Sequence, residues 1–148
     1  MGTALSTVYD LFLMMVTDYR LLALYETDVD DFEAYLEAWL IMAIDDFVVC
    51  TQDLSYSADN FTQTLTQQNI NMLAYLMLKC WAQKNYRDIT QMNLHLQDRD
   101  FRMNSESNNI NAKLGDLNAL KEEISQRLID YGYQHLDWDA WYNQLSGV

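Results

Sequence analysis

The stretch N-I-N-M-L-A-Y-L-M-L-K-C-W, residues 69–81, decides the fold of this chain. Ten of its thirteen residues are apolar or aromatic, and they would fall on every side of a helix. A helix that is apolar all round is a buried helix, so the other segments are expected to pack around this one. It is too short to span a membrane, because a membrane helix takes about 20 apolar residues.

Apolar residues at helical spacing predict the elements on both sides of this stretch. Before it, the pattern predicts a helix from a cap at Ser6 or Thr7 to Val16, a short piece or packed connection over 21–25, a helix from Thr27 to about Cys50, and a loop over 51–65 anchored by Tyr56 and Phe61. The central helix is expected to run from Thr66 to about Asn85. After it follow a short helix over Ile89–Leu96, a polar break over 98–104, an amphipathic helix over Ile110–Tyr131 that Gly132 ends, and a last short helix capped by Asp137.

The predicted fold is all-α, a bundle of about four main helices plus a short C-terminal helix. Residues 1–135 form the helical domain, and residues 136–148 form an aromatic tail or short helix for partner docking. We expect the core to be centred on four residues of the apolar stretch: Leu73, Leu76, Met77 and Trp81. The helix before this stretch should contact them from one side through Leu36, Trp39 and Phe47. The amphipathic helix after it should contact them from another side through Leu117, Leu120 and Ile124.

The net charge is −13, and it is distributed unevenly. Residues 1–61 carry −11 of it and residues 62–148 carry −2. Such a field repels nucleic acid at long range, which argues against a DNA-binding module with its basic footprint. The acidic excess is either a solvated surface or a face that meets a basic partner or lines a passage for DNA.

Cys50 and Cys80 are the only cysteines, and both lie in apolar segments. They are expected to be buried thiols, although the sequence leaves a disulfide between them open. The N-terminus lacks the basic region of a signal peptide. We therefore expect a protein that is cytoplasmic or assembled in the cytoplasm, without a membrane segment.

The sequence contains no common motif for catalysis, phosphate binding or metal binding. The acidic run over 28–33 lacks the glycine and the glutamate of a calcium loop and is typical of a helix N-terminus. His95 and His135 are not at the spacing of zinc or di-iron ligands. We predict no catalytic, metal-binding or cofactor-binding residues, since an enzyme would need a pocket with one of these histidines beside a carboxylate.

The segment D-W-D-A-W-Y, residues 137–142, is the most suggestive local feature of the chain. Trp138, Trp141, Tyr142 and Leu145 would share one side of a short helix. Tryptophan and tyrosine are enriched at binding hot spots, so these four residues are candidates for partner contacts. The alternative is a terminal helix that folds back on its own domain.

Three blocks of sequence, taken in order, point to a known family. They are S-T-V-Y-D-L-F-L-M-M-V-T-D-Y (Ser6–Tyr19), N-I-N-M-L-A-Y-L-M-L-K-C-W (Asn69–Trp81) and R-D-F-R-M-N-S-E-S-N-N-I (Arg99–Ile110), which the leucine-rich helix follows. Together they resemble the small structural proteins of tailed bacteriophages that serve as head–tail connectors or adaptors. The similarity spans most of residues 6–131 and does not include the tail.

The resemblance implies a non-catalytic helical protein that forms a homo-oligomeric ring beneath the portal, dodecameric if it follows the portal symmetry. It implies contacts with the portal protein and with the next neck or tail-completion protein, and a channel through which DNA passes without specific binding. The acidic residues of the predicted helix over 27–50 are candidates for the channel wall or for a basic partner surface: Asp28, Asp30, Asp31, Glu33, Glu37, Asp45 and Asp46.

The leading hypothesis is therefore a virion connector at the head–tail junction, assembled in the host cytoplasm. The alternative is a small acidic helical regulator, also non-enzymatic, that binds one host or phage protein through its acidic face. An enzyme with an unrecognised site is a third hypothesis. Asp45 and Asp46 oppose the dipole at the end of their helix, which predicts cationic partners for them.

Overall fold

The computed structural model describes residues 2–96 and 103–146, with the backbone alone for 92–96 and 103–108. The chain is 77% helical, and the predicted all-α fold is confirmed. Within the described ranges its elements are α1 (Leu5–Met15), α2 (Tyr19–Thr27), α3 (Val29–Asp46), β1 (Tyr56–Ser57), β2 (Asn60–Phe61), α4 (Gln67–Leu96), α5 (Met103–Gln134) and α6 (Trp138–Ser146).

Helix α4 is the centre of the bundle. It packs against α1, α3 and α5, while α2 packs against α3. Its predicted core residues Leu73, Leu76 and Met77 are fully buried, and Trp81 is half-buried at the edge of the core. Five of the six core residues predicted on the neighbouring helices are buried, as predicted: Leu36, Trp39, Phe47, Leu117 and Ile124. The sixth, Leu120, is half-buried.

The predicted end of the central helix near Asn85 is wrong, because α4 continues without a break for 30 residues. Asn85 Oδ1 accepts a hydrogen bond from the Arg20 guanidinium at 3.1 Å, and Lys84 pairs with Asp88 one turn later at 2.7 Å. Both contacts stabilise helical backbone across this polar stretch. The predicted polar break over 98–104 lies mostly outside the described residues, and its last two residues belong to α5.

Helix α5 begins earlier than predicted, at Met103, and it passes through Gly132 to Gln134. Gly132 therefore does not end the helix. Tyr131 supplies the reason, because its ring is fully buried and its hydroxyl lies 3.2 Å from the Thr51 backbone N–H and 3.0 Å from the Thr51 hydroxyl. This contact anchors the last turns of α5 to the loop that follows α3.

The start of α3 differs by one residue from the prediction. Asp28 is the cap, and its carboxylate accepts a hydrogen bond from the Asp31 N–H at 3.1 Å. Thr27 belongs to the last turn of α2, where its hydroxyl donates to the Ala23 carbonyl at 2.7 Å. Because Asp28 is the only residue between the two helices, it terminates one and begins the other.

Helix α1 begins at Leu5 without a side-chain cap, so neither Ser6 nor Thr7 has the predicted role. Residues 3–5 run beside the β-hairpin, and the Leu5 N–H donates to the Asp59 carbonyl at 2.9 Å. A backbone partner therefore satisfies a free N–H group of the first turn in place of a capping side chain.

The predicted loop over 51–65 contains a small β-hairpin that the sequence analysis did not predict. β1 and β2 pair antiparallel with Tyr56 opposite Phe61, and Ala58 in the turn has a φ of 52°. Phe61 is fully buried and Tyr56 is half-buried, so both anchors are confirmed.

Gln52 ties this loop to the start of α4. Its Oε1 accepts hydrogen bonds from Asn69 Nδ2 at 2.6 Å and from the Thr66 N–H at 2.8 Å. The Thr66 hydroxyl accepts from the Asn69 N–H at 3.3 Å, which confirms the predicted cap of this helix. The amide nitrogen of the buried Asn69 is thus paired with a side chain from the loop, while its Oδ1 has no hydrogen-bond partner among the described residues.

Both cysteines are free thiols, which settles the open question of a disulfide. Cys80 is buried and Cys50 is half-buried. The Cys80 thiol donates a hydrogen bond to the Asp46 carboxylate, with sulfur and oxygen 3.6 Å apart. Burial, and after it the negative charge of Asp46, raises the pKa of Cys80 to about 11.

Leu76→Ala should lower the free energy of unfolding by about 2–5 kcal/mol, because the leucine side chain is fully buried in the bundle. Leu145→Ala is a matched control, since Leu145 is 67% exposed and its loss should change stability by less than ~0.5 kcal/mol. Denaturant titration followed by circular dichroism measures both variants. A loss below ~0.5 kcal/mol for Leu76→Ala would place this residue outside the core.

Cys50 should react with a thiol-specific reagent at least ~10-fold faster than Cys80 at pH 8, since the thiolate is the reactive form. With a pKa of about 11, roughly one Cys80 side chain in a thousand is a thiolate at that pH. The single-cysteine variants Cys50→Ser and Cys80→Ser allow each rate to be measured alone. Equal rates in the two variants would mean that the environment of Cys80 opens to solvent.

Candidate functional site

Helix α6 presents an exposed aromatic face. The helix is capped as predicted, since the Asp137 carboxylate accepts a hydrogen bond from the Ala140 N–H at 3.0 Å. Its large apolar residues recur at positions i, i+3, i+4 and i+7, and each keeps 48–67% of its surface exposed: Trp138, Trp141, Tyr142 and Leu145. These four residues are called the aromatic tail face.

The aromatic tail face is held in place by ring contacts with the end of α5. Trp138 stacks on Tyr133 with ring centroids 6.2 Å apart and an interplanar angle of 6°, and it meets Trp141 edge-on at 5.8 Å. No residue of α6 is buried. A tail folded back on its own core is therefore not the arrangement of the described chain, while contacts with a partner stay a prediction.

The seven acidic residues predicted for a channel or partner face lie in two groups on α3. The first group lies around the start of the helix and is exposed: Asp28, Asp30, Asp31 and Glu33. Glu37 follows one turn later but is half-buried, and it accepts a hydrogen bond from the Tyr56 hydroxyl at 2.9 Å. Glu37 therefore contributes to the fold of the hairpin as well as to the negative charge.

The second group lies at the other end of α3, about 20 Å along the helix from the first. Asp46 pairs with Lys79 at 2.7 Å, so the predicted cationic partner is confirmed for this residue. Asp45 is exposed, and the ion pairs within the described part of the chain do not include it. The seven carboxylates accordingly do not form one continuous face.

A cavity of about 540 Å³ lies between α1, α3 and the hairpin turn, and it is called the acidic cavity. Four carboxylates line it: Asp30, Glu33, Glu37 and Asp59. The pKa of Tyr9, which also lines it, is raised by burial and then by the negative charge of Glu37. The cavity thus combines negative potential with partial shielding from water, which suits the cationic side chain of a partner.

A groove of about 440 Å³ lies between α4 and α5, beside the connection from α1 to α2, and it is called the α4–α5 groove. Most of its wall is apolar: Leu78, Trp81, Ala82 and Ile89 from α4, with Leu117 and Leu120 from α5. The charged lining residues are Asp18, Arg20, Lys113 and Asp116. Arg20 is fixed beside the groove by two contacts with Asp18 at 3.1 and 3.2 Å and by its bond to Asn85.

The sequence analysis missed a second exposed apolar surface, on the outer side of α3 and the turn that follows it. Its large residues are Ile41, Met42, Val48 and Val49. The predicted end of this helix near Cys50 is wrong, because α3 ends at Asp46, and Val48 and Val49 lie in the turn after it. Ile41 and Met42 lie on α3 outside the buried stripe of Leu36, Leu40 and Ala43. Their position relative to that stripe is the signal that could have identified them.

The described part of the chain contains no group of three His, Cys, Asp or Glu residues with the geometry of a metal site. His135 is exposed at the end of α5, where its Nδ1 lies 2.9 Å from the Tyr131 carbonyl oxygen and its ring stacks on the Tyr131 ring. It lines neither the acidic cavity nor the α4–α5 groove. The side chain of His95 lies outside the described residues.

None of the described helices is both long enough and apolar enough to cross a membrane.

Comparison of the chain with protein-family models, with characterised proteins and with solved structures found no match in any of the three. Membership of the connector family therefore stays a prediction, supported by the three sequence blocks alone.

Proposed function

We propose that this chain is a non-enzymatic structural protein of a tailed-phage virion, a head–tail connector that forms a ring beneath the portal. The observation that carries the proposal is the aromatic tail face, a helix with two exposed tryptophans and no buried residue. An exposed apolar surface of this kind is typical of a contact that is covered in an assembly. The resemblance of the three sequence blocks supplies the kind of assembly.

The proposed protein works by shape and charge. The ring extends the DNA channel and gives the next neck or tail-completion protein a surface on which to dock. Each copy contacts its ring neighbours and the portal protein, with twelve copies if the ring follows the portal symmetry. DNA passes through without specific binding, and the protein resides at the head–tail junction after assembly in the host cytoplasm.

The exposed acids of α3 provide the electrostatic part of this proposal. Asp30, Asp31 and Glu33 are exposed at one end of the helix and Asp45 at the other. A wall with fixed negative charge repels the phosphate backbone, so DNA can slide past it without adhering. Asp46 is a weaker candidate for that wall, because Lys79 already pairs with it.

The acidic cavity favours a second candidate function, a small acidic regulator that binds one host or phage protein. Four carboxylates around one cavity suit a lysine or arginine side chain on a basic partner. Such a regulator acts as a monomer or dimer and binds its partner without the portal.

Negative-stain electron microscopy of the protein mixed with the portal protein of the same genome distinguishes the two candidates. A connector should appear as extra density on the narrow end of the portal, with the portal symmetry. Each protein alone serves as the control. If the protein and the portal do not associate at any salt concentration, and the protein alone is a monomer, the result would contradict the connector and favour the regulator.

Deletion of residues 136–148 should leave a folded helical domain and weaken binding to the portal, because it removes the aromatic tail face, and none of the described residues 136–146 is buried. Circular dichroism reports the fold, and co-sedimentation with the portal reports assembly. The full-length double variant Trp138→Ala, Trp141→Ala is a second test of the same contact, since it removes the two indole rings and keeps the rest of the tail. It should weaken assembly as well. Near-native assembly of both folded variants would contradict a role for the tail.

A further inference from the structure

We draw no further inference here: the strongest candidate, the apolar α4–α5 groove beside Trp81, carries none, because its two cationic and two anionic lining residues cancel in charge and nothing in the structure shows what covers it.

Discussion

Between Ile70 and Cys80 most side chains of α4 are buried, and the neighbouring helices pack against this segment. Helices α1, α3 and α5 each turn their apolar side towards this one segment. A fully buried leucine or methionine contributes roughly 1.5–3 kcal/mol, while the whole fold is stable by only about 5–15 kcal/mol. A few side chains such as Leu73 and Met77 therefore account for a large share of the net stability.

Enclosing α4 requires partners for the polar groups at its start, and the loop after α3 provides them. Gln52 accepts a hydrogen bond from the amide nitrogen of the buried Asn69, and Thr51 binds the hydroxyl of the buried Tyr131 on α5. Two consecutive loop residues thus connect the start of α4 and the end of α5. Unpaired, these buried polar groups would each cost about 1–3 kcal/mol, so the loop is part of the bundle rather than a free connection.

The core uses apolar residues from α1, α3, α4 and α5, but α6 contributes none of its own. The result is a molecule whose acidic C-terminal helix keeps all of its large apolar side chains exposed. This arrangement is consistent with the proposed ring and supports the tail as the element of contact.

The sequence by itself determined the helical class, the buried central segment, the side of each main helix that faces the core, and the cap of α6 at Asp137. Apolar periodicity and capping are local properties, so they can be interpreted without knowing the fold. The lengths of α4 and α5 were not predictable in this way, because Arg20 acts on Asn85 from 65 residues away and Thr51 acts on Tyr131 from 80 residues away. Two surfaces were likewise decided by tertiary structure alone. The α4–α5 groove is concave because residues from separate segments of the chain line it. The outer apolar surface of α3 is exposed because the opposite side of the helix is the one that packs into the bundle.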